Sequence, residues 1–189
     1  MKLYSSAFKD NKIDLNYGKF ADKHHTVNDL PLVSFDVQWE LENTNSEYVH
    51  LIFVDFGAIS AIGKPFVHWT VANLHKSEYS ELKENASLQL RDKIAQGFNS
   101  MIGSENISEK QNLTNYQIVR DKNNWKDFNC FIGCMPPNKD HTYTLFAFST
   151  KQKLDVDLAF SPDVLFDVLF NSNKVVEQAK LSALYPVKL

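Results

Sequence analysis

The segment from His141 to Ser149 alternates between two sets of side chains, and this alternation limits the possible folds more than any other feature. One side of an extended chain would carry His141, Tyr143, Leu145 and Ala147, and the other Thr142, Thr144, Phe146 and Phe148. Successive side chains of a β-strand point to opposite faces, and a helix does not produce this period of two. The segment therefore predicts a strand with two different environments.

Three further segments predict strands. From Pro31 to Leu41 every second residue is apolar, and Phe66 to Leu74 is rich in aromatic and β-branched residues, with His68 on the same face as Thr70. The run from Tyr48 to Val54 is continuously apolar, which is typical of a central strand covered on both faces. A mainly β fold follows.

Helices are expected at few places. From Glu78 to Asn129 the pattern becomes polar and Asn-rich, with one short helix near Leu88 to Phe98. Ser161 is a suitable N-cap before Pro162, so a second helix should run to about Phe170. The segment from Lys174 to Tyr185 is compatible with either a helix or a strand.

Charge, length and cysteine usage exclude several classes of protein. With 20 basic and 23 acidic residues and no dense basic block, the chain is not expected to bind nucleic acid. No segment is apolar enough for a membrane span, and the first residues lack a signal-peptide core, so we expect a cytoplasmic protein. Cys130 and Cys134 should then be free thiols. Residues 1–189 are expected to form one domain.

Two histidines and a tyrosine are candidates for an anion site. His68 and the His141–Tyr143 pair lie in predicted strands, and imidazole and phenol groups can donate hydrogen bonds to phosphate or carboxylate. Asp55 follows the apolar run and could orient a histidine or cap the next turn. The alternative is that both histidines are buried residues with purely structural partners.

The loop before the His141 strand contains Gly133-Cys134-Met135-Pro136-Pro137. Successive prolines fix the backbone, so this loop could hold its shape beside a pocket or could simply be a stiff connection. The six histidines show no ligand spacing typical of a metal site, and no cofactor-binding or nucleophile-elbow motif is present. We therefore expect neither a metal nor a cofactor.

Five segments of the chain together carry a resemblance: MKLYSSAF at the start, residues 30–35, residues 66–74, residues 96–100 and Gly133 to Ser149. They resemble the phosphatidylethanolamine-binding protein family, in particular its bacterial, Raf kinase inhibitor-like branch. The resemblance keeps the order of these segments along nearly the whole chain. It implies an antiparallel Greek-key β-sandwich with a few peripheral helices.

The resemblance also implies a ligand pocket. Matching the family's acid, His-Trp pair, Pro-Pro loop and His-x-Tyr motif to this chain gives Asp55, His68, Gly133, Pro136, Pro137, His141 and Tyr143. The family's Asp-Pro-Asp-Ala-Pro motif is replaced by Asp55-Phe56-Gly57-Ala58-Ile59, which lacks the second acid and both prolines. Met135 stands where a small residue is usual, and it is expected to narrow the mouth of the pocket or remake one wall.

Three functions are compatible with these residues. The first is a non-enzymatic protein that binds a small anion, namely a phosphate, a carboxylate or a phospholipid headgroup. The second is a regulator that docks a protein partner, such as a kinase or protease, through the pocket rim. The third and weakest is a hydrolase with His68 or His141 as general base, for which the sequence offers no adjacent nucleophile. The resemblance also suggests a homodimer.

Overall fold

The computed structural model describes residues 1–103, 128–171 and 174–189. The described elements, in chain order, are β1 (Lys2–Tyr4), β2 (Phe8–Lys9), β3 (Lys12–Ile13), β4 (Val37–Glu40), β5 (Tyr48–Asp55), α1 (Ile59–Ile62), β6 (Phe66–His75), β7 (Glu81–Leu82), α2 (Ala86–Gln89), β8 (Ala95–Gly97), β9 (His141–Thr150), β10 (Ala159–Phe160), α3 (Pro162–Asn171) and β11 (Val175–Tyr185). Short 3-10 turns span Leu15–Tyr17 and Ser100–Gly103. The predicted mainly β fold with few helices is confirmed.

The strands form two sheets. The smaller is antiparallel with the order β1-β4-β7, and the larger has the order β10-β8-β6-β5-β9-β11-β3-β2. Two pairs of the larger sheet, β10 with β8 and β11 with β3, are parallel. The larger sheet is therefore mixed, and the expectation of purely antiparallel sheets is wrong for these pairs.

Strand β5 lies between β6 and β9 in the larger sheet, as its continuous apolar sequence predicts. One face of β5, with Leu51 and Phe53, shares a buried cluster with Val37 and Trp39 of the smaller sheet. The other face packs against apolar residues of α3, which include Leu165 and Leu169. Both faces of β5 are thus removed from water, which is the main reason such a sequence is stable as a central strand.

A register shift in the β5–β6 pair changes the direction of one side chain. Trp69 is paired with Phe53, and Val67 is paired with Val54. Phe53 and Val54 are consecutive in β5, so His68, which lies between Val67 and Trp69, has no partner residue in β5. This is a β-bulge, and bulges commonly redirect a side chain. The ring of His68 contacts Phe53, which faces the smaller sheet, whereas Ala72 packs toward α3. The prediction that His68 lies on the Thr70 face is therefore wrong.

The strand predicted from Pro31 to Leu41 is only partly formed, because β4 covers Val37–Glu40. The preceding residues are extended but bond to loops: the Pro31 carbonyl accepts from Gly133 N (2.8 Å) and the Ser34 carbonyl from Asn85 N (2.8 Å). Ser34 is buried although the alternation predicts exposure. The hydrogen bonds to the loops that contain Gly133 and Asn85 explain the burial of Ser34, since a buried polar residue needs hydrogen-bond partners.

The helix predicted from Leu88 to Phe98 is wrong. Helix α2 ends at Gln89, and Ala95–Gly97 form strand β8. The buried Gln96 amide accepts from Trp69 Nε1 (2.8 Å) and Ser87 Oγ (2.9 Å), so tertiary hydrogen bonds favour the extended conformation. The rest of the polar stretch, residues 104–127, lies outside the described residues.

Other assignments agree with the sequence. The strand predicted from His141 to Ser149 and the helix beginning at Pro162 are confirmed as β9 and α3. The ambiguous C-terminal segment is strand β11, paired antiparallel with β9 along its length. The loop expected from Gly57 to Lys64 contains the single helical turn α1.

Candidate functional site

Three adjacent strands bring the predicted side chains together. Asp55 ends β5 and is directly opposite Tyr143 of β9 on one side and Phe66 of β6 on the other. The rings of His68 and Tyr143 are 5.2 Å apart between centroids, and those of His141 and Tyr143 are 6.4 Å apart. Phe53 contacts both His68 and Tyr143. The four polar groups therefore form one cluster on an aromatic floor.

The cluster is almost completely removed from water. Exposure is 3% for Asp55 and His68, 1% for His141 and 0% for Tyr143. Polar groups buried to this extent need hydrogen-bond partners or cost stability. The partners of each group therefore decide what the cluster can bind.

Asp55 and His141 form a direct pair, with Oδ2 of Asp55 2.7 Å from Nδ1 of His141. The second carboxylate oxygen of Asp55 accepts from Ala58 N at 3.2 Å. Nε2 of His141 is 2.8 Å from Oδ1 of Asn138. Both nitrogens of His141 thus face an oxygen, and both can donate at once only when the ring is protonated. Of the two roles open to Asp55, the structure shows both.

His68 is held in one orientation by the main chain. Its Nδ1 is 2.8 Å from the Ile132 carbonyl, which can only accept, so Nδ1 carries the hydrogen. Burial lowers the pKa of His68 to about 4, and the ring is therefore neutral at pH 7. Nε2 then presents a lone pair, and no hydrogen bond to it is found among the described residues; the Gly133 backbone also lies beside the ring and, like Ile132, raises its pKa. His68 offers an acceptor, not the donor expected from its sequence.

Tyr143 has a buried hydroxyl without a hydrogen-bond partner in the described part of the chain. Burial raises the pKa of Tyr143, so the phenol stays protonated and is a donor. The Asp55 carboxylate raises the pKa of Tyr143 and the Met135 N–H lowers it, so both groups face the hydroxyl, although neither contact has the distance and angle of a full hydrogen bond. An unpaired buried hydroxyl is rare in folded proteins and requires an explanation.

The Gly-Pro-Pro loop is fixed by the segment that precedes β4. A Cβ on Gly133 would lie 2.8 Å from the Tyr17 carbonyl oxygen and 2.9 Å from Pro31, so only glycine permits this close approach. Lys19 Nζ donates to the Pro136 carbonyl at 2.8 Å. Gly133 and Pro136 are buried, whereas Pro137 is exposed. These residues hold the loop in place, and none supplies a side-chain donor to the cluster.

Two residues that contact the cluster were not predicted. Asn138 bonds to His141 from the loop, and a Cβ on Gly57 would lie only 2.8 Å from the His141 ring. Gly57 stands where the family's Asp-Pro-Asp-Ala-Pro motif has its second acid. The short distance to the His141 ring explains why a larger side chain does not fit at this position in the present structure. The sequence feature that could have identified Gly57 is its position two residues after Asp55.

Met135 and the two cysteines are also placed by the structure. Met135 is half-buried and packs against an apolar cluster that includes Leu30 and Ile132. Cys130 and Cys134 are buried and form no disulfide. Burial raises the pKa of the Cys134 thiol, so it is protonated and a poor nucleophile.

Residues 1–103, 128–171 and 174–189 contain neither a metal-binding cluster nor a membrane-spanning helix. No three His, Cys, Asp or Glu side chains of this part of the chain are positioned to share a metal ion. In the same residues no helix has both the length and the apolar character to cross a membrane.

Comparison with known proteins gives consistent matches. The sequence model of the family described as phosphatidylethanolamine-binding protein matches residues 5–186. A protein of Bacillus subtilis, the uncharacterized protein YxkA, is 29% identical over 158 residues, which cover 84% of this chain and 83% of that protein.

Two crystal structures show the same fold. One is Escherichia coli YbcL, described as a member of the mammalian family of phosphatidylethanolamine-binding proteins, with a TM-score of 0.67, 19% identity, and coverage of 99% of this chain and 98% of that chain. The other is the homologue CT736 from Chlamydia trachomatis, with a TM-score of 0.66, 18% identity, and coverage of 97% and 95%.

Proposed function

Because this chain belongs to the phosphatidylethanolamine-binding protein family, we propose that it is a non-enzymatic protein that binds a small anion between His68, His141 and Tyr143. The ligand would be a phosphate, a carboxylate or a phospholipid headgroup. One observation carries the proposal: the Tyr143 hydroxyl is fully buried and has no partner among the described residues.

An anion would remove the cost of this arrangement. A buried hydroxyl without a partner costs about 1–3 kcal/mol, and an oxyanion placed beside it would accept its hydrogen. His141 is close by, and its protonated ring can donate from Nε2 as well as to Asp55 if the exposed Asn138 turns away. The Asp55 carboxylate would keep the His141 ring oriented during such an exchange.

The chemistry of the cluster supports binding without turnover. Nucleophilic catalysis needs an activated hydroxyl or thiol beside a base. The nearest thiol, Cys134, has a pKa raised by burial. The described hydrogen bonds of His68 and His141 go to a carbonyl, a carboxylate and an amide, and none reaches a serine, threonine or cysteine side chain.

Two matched tyrosine variants test this function. Tyr143→Phe should weaken the binding of inorganic phosphate at least about tenfold by calorimetry, while protein stability stays unchanged or rises. The control is Tyr185→Phe in the neighbouring ring, whose hydroxyl donates to the Leu15 carbonyl (2.8 Å) and accepts from Phe20 N (3.1 Å). That variant should lose about 1–3 kcal/mol of stability and retain phosphate binding.

Two results for the Tyr143→Phe variant would contradict the proposal. If Tyr143→Phe binds phosphate as the wild type does, the buried hydroxyl is not part of a ligand site. If Tyr143→Phe is destabilised as strongly as Tyr185→Phe, the hydroxyl has a structural partner and the argument from its unpaired state fails.

Docking of a protein partner such as a kinase or protease is the second candidate, and one observation favours it. Phe56 and Ile59, on the turn that follows Asp55, are 49% and 50% exposed. Large apolar side chains exposed beside a pocket are typical of contact surfaces. A double variant with serine at both positions should lose a partner captured from the native cytosol and keep phosphate binding. Capture that is unaffected by this variant would contradict docking at this rim.

A further inference from the structure

We infer that this site selects an oxyanion that still carries a proton, because His68 and Tyr143 present one acceptor and one donor to the same ligand. The inference rests on the proposed function and names its ligand class: free phosphate or a protonated phosphate monoester. Sulfate and phosphodiesters, which have no ionisable proton left at neutral pH, would be disfavoured.

The acceptor is Nε2 of His68. The Ile132 carbonyl fixes the hydrogen on Nδ1, and Ile132 N donates in turn to the His68 carbonyl at 3.0 Å. This two-sided attachment leaves the ring little freedom to turn over. A neutral imidazole with its hydrogen on Nδ1 can only accept at Nε2.

The donor is the hydroxyl of Tyr143. Its ring is 5.2 Å from that of His68 between centroids, so the two side chains are neighbours in the cluster, and one tetrahedral anion is taken to contact both. Since the phenol remains protonated, it donates to an unprotonated ligand oxygen. A ligand that satisfies both groups must therefore accept at one oxygen and donate from another.

The charges that face the pair act in the same direction. Asp55 and His141 act electrostatically on His68, and Asp55 and the Cys134 thiol act on Tyr143. The Asp55 carboxylate is the negative charge among these groups, and repulsion by a buried like charge disfavours the sulfate dianion relative to monoanionic phosphate; dimethyl phosphate, also a monoanion, is disfavoured only by its missing hydrogen. The carboxylate bonds to His141 at 2.7 Å and therefore lies within the cluster.

The expected selectivity follows from the unpaired acceptor. Sulfate has the shape and size of phosphate but would bring an oxygen lone pair against the lone pair of Nε2. A buried acceptor without its hydrogen bond costs about 1–3 kcal/mol, which corresponds to roughly 10- to 100-fold in affinity. Sites built around a specific hydrogen bond reject analogues that lack the group.

Calorimetry of the full-length chain at pH 7 and constant ionic strength would test the inference with inorganic phosphate, sulfate and dimethyl phosphate. Phosphate should bind at least about tenfold more tightly than the other two anions. Dimethyl phosphate separates the sources of phosphate, because it imitates the diester of a phospholipid headgroup. In His68→Gln, whose amide can turn an N–H toward the ligand, the phosphate-to-sulfate ratio should fall towards one.

The outcomes distinguish this inference from the proposed function. Equal affinities for phosphate and sulfate in the wild type, both lost in Tyr143→Phe, would overturn the selectivity and leave the anion site standing. No binding of phosphate at all would overturn both. If His68→Gln does not fold, the comparison of the three anions on the wild type still decides.

Discussion

Because of His50, the free energy of unfolding should decrease as the pH falls from 8 to 5. The size of this decrease can be calculated from the environment of the ring. The ring is fully buried on β5. Nδ1 accepts from Asn73 N (3.1 Å), and Nε2 is 2.9 Å from Oγ1 of Thr150, which itself donates to the Gln152 carbonyl. A proton on Nδ1 would face an N–H donor, so the folded protein resists protonation.

The pKa values give the magnitude. Burial lowers the pKa of His50 from 6.5 to about 3 in the folded protein. Between these values the unfolded chain binds more protons, so stability is complete above pH 6.5 and falls as the pH falls toward 3. From pH 8 to pH 5 the loss from His50 is about 2 kcal/mol. His68, with a folded pKa of about 4, contributes a further loss of about 2 kcal/mol.

The assay compares the wild type with His50→Gln by urea unfolding at pH 8 and pH 5. Gln cannot titrate, and its amide can still donate to Thr150. The wild type should lose about 2 kcal/mol more than the variant over this interval, because all other ionisable groups are common to both proteins. Equal losses in the two proteins would refute the argument, whatever their absolute stabilities.

Three further predictions concern single residues. Gly57→Ala should lower stability by about 1–3 kcal/mol in thermal unfolding, since a Cβ would collide with the His141 ring at 2.8 Å; an unchanged midpoint would show that the turn gives way. Asn73→Ala should lower the free energy of unfolding by about 2 kcal/mol, because Asn73 has a φ of 64° and its amide bonds to the N–H and the carbonyl of Leu154. Asn73→Gly should recover only the part of this loss that comes from the left-handed backbone conformation, since glycine adopts it without strain but makes neither hydrogen bond. The Cys134 thiol should react with an aromatic disulfide reagent only after unfolding, and rapid labelling of the folded protein would contradict its burial.

The long strands could be predicted from the sequence, and the short ones could not. Alternation identified β9, a continuous apolar run identified β5, and aromatic and β-branched residues identified β6, because each of these segments has seven or more residues to show its pattern. Strands of two residues, such as β10, have no period to detect. At β8 the burial of Gln96 against Trp69 decides the structure, and this partner is distant in sequence.

The clustering of the candidate side chains could be predicted from the sequence, and their hydrogen bonding could not. The sequence identified His68, His141 and Tyr143 as possible donors. The acceptor role of His68 depends on the main-chain carbonyl of Ile132. Every residue has a main-chain carbonyl, so the sequence cannot indicate which one accepts from a given histidine. Asn138 and Gly57 were missed for a related reason, since both matter through close contacts with His141 that only the fold creates. The cytoplasmic location, the single domain and the homodimer stay predictions.

The bulge at His68 makes the site depend on the number of residues in β6 as well as on their identity. Trp69 and Val67 pair with neighbouring residues of β5, and His68 is the residue in excess. Deletion of Val67 would restore a regular ladder and place His68 opposite Val54, whose side chain packs toward α3. A chain shorter by one residue would thus keep every polar residue of the cluster and still place this imidazole on the opposite face of the sheet. Sequence comparisons within the family should therefore treat a one-residue gap between Phe66 and Trp69 as a change of the site itself.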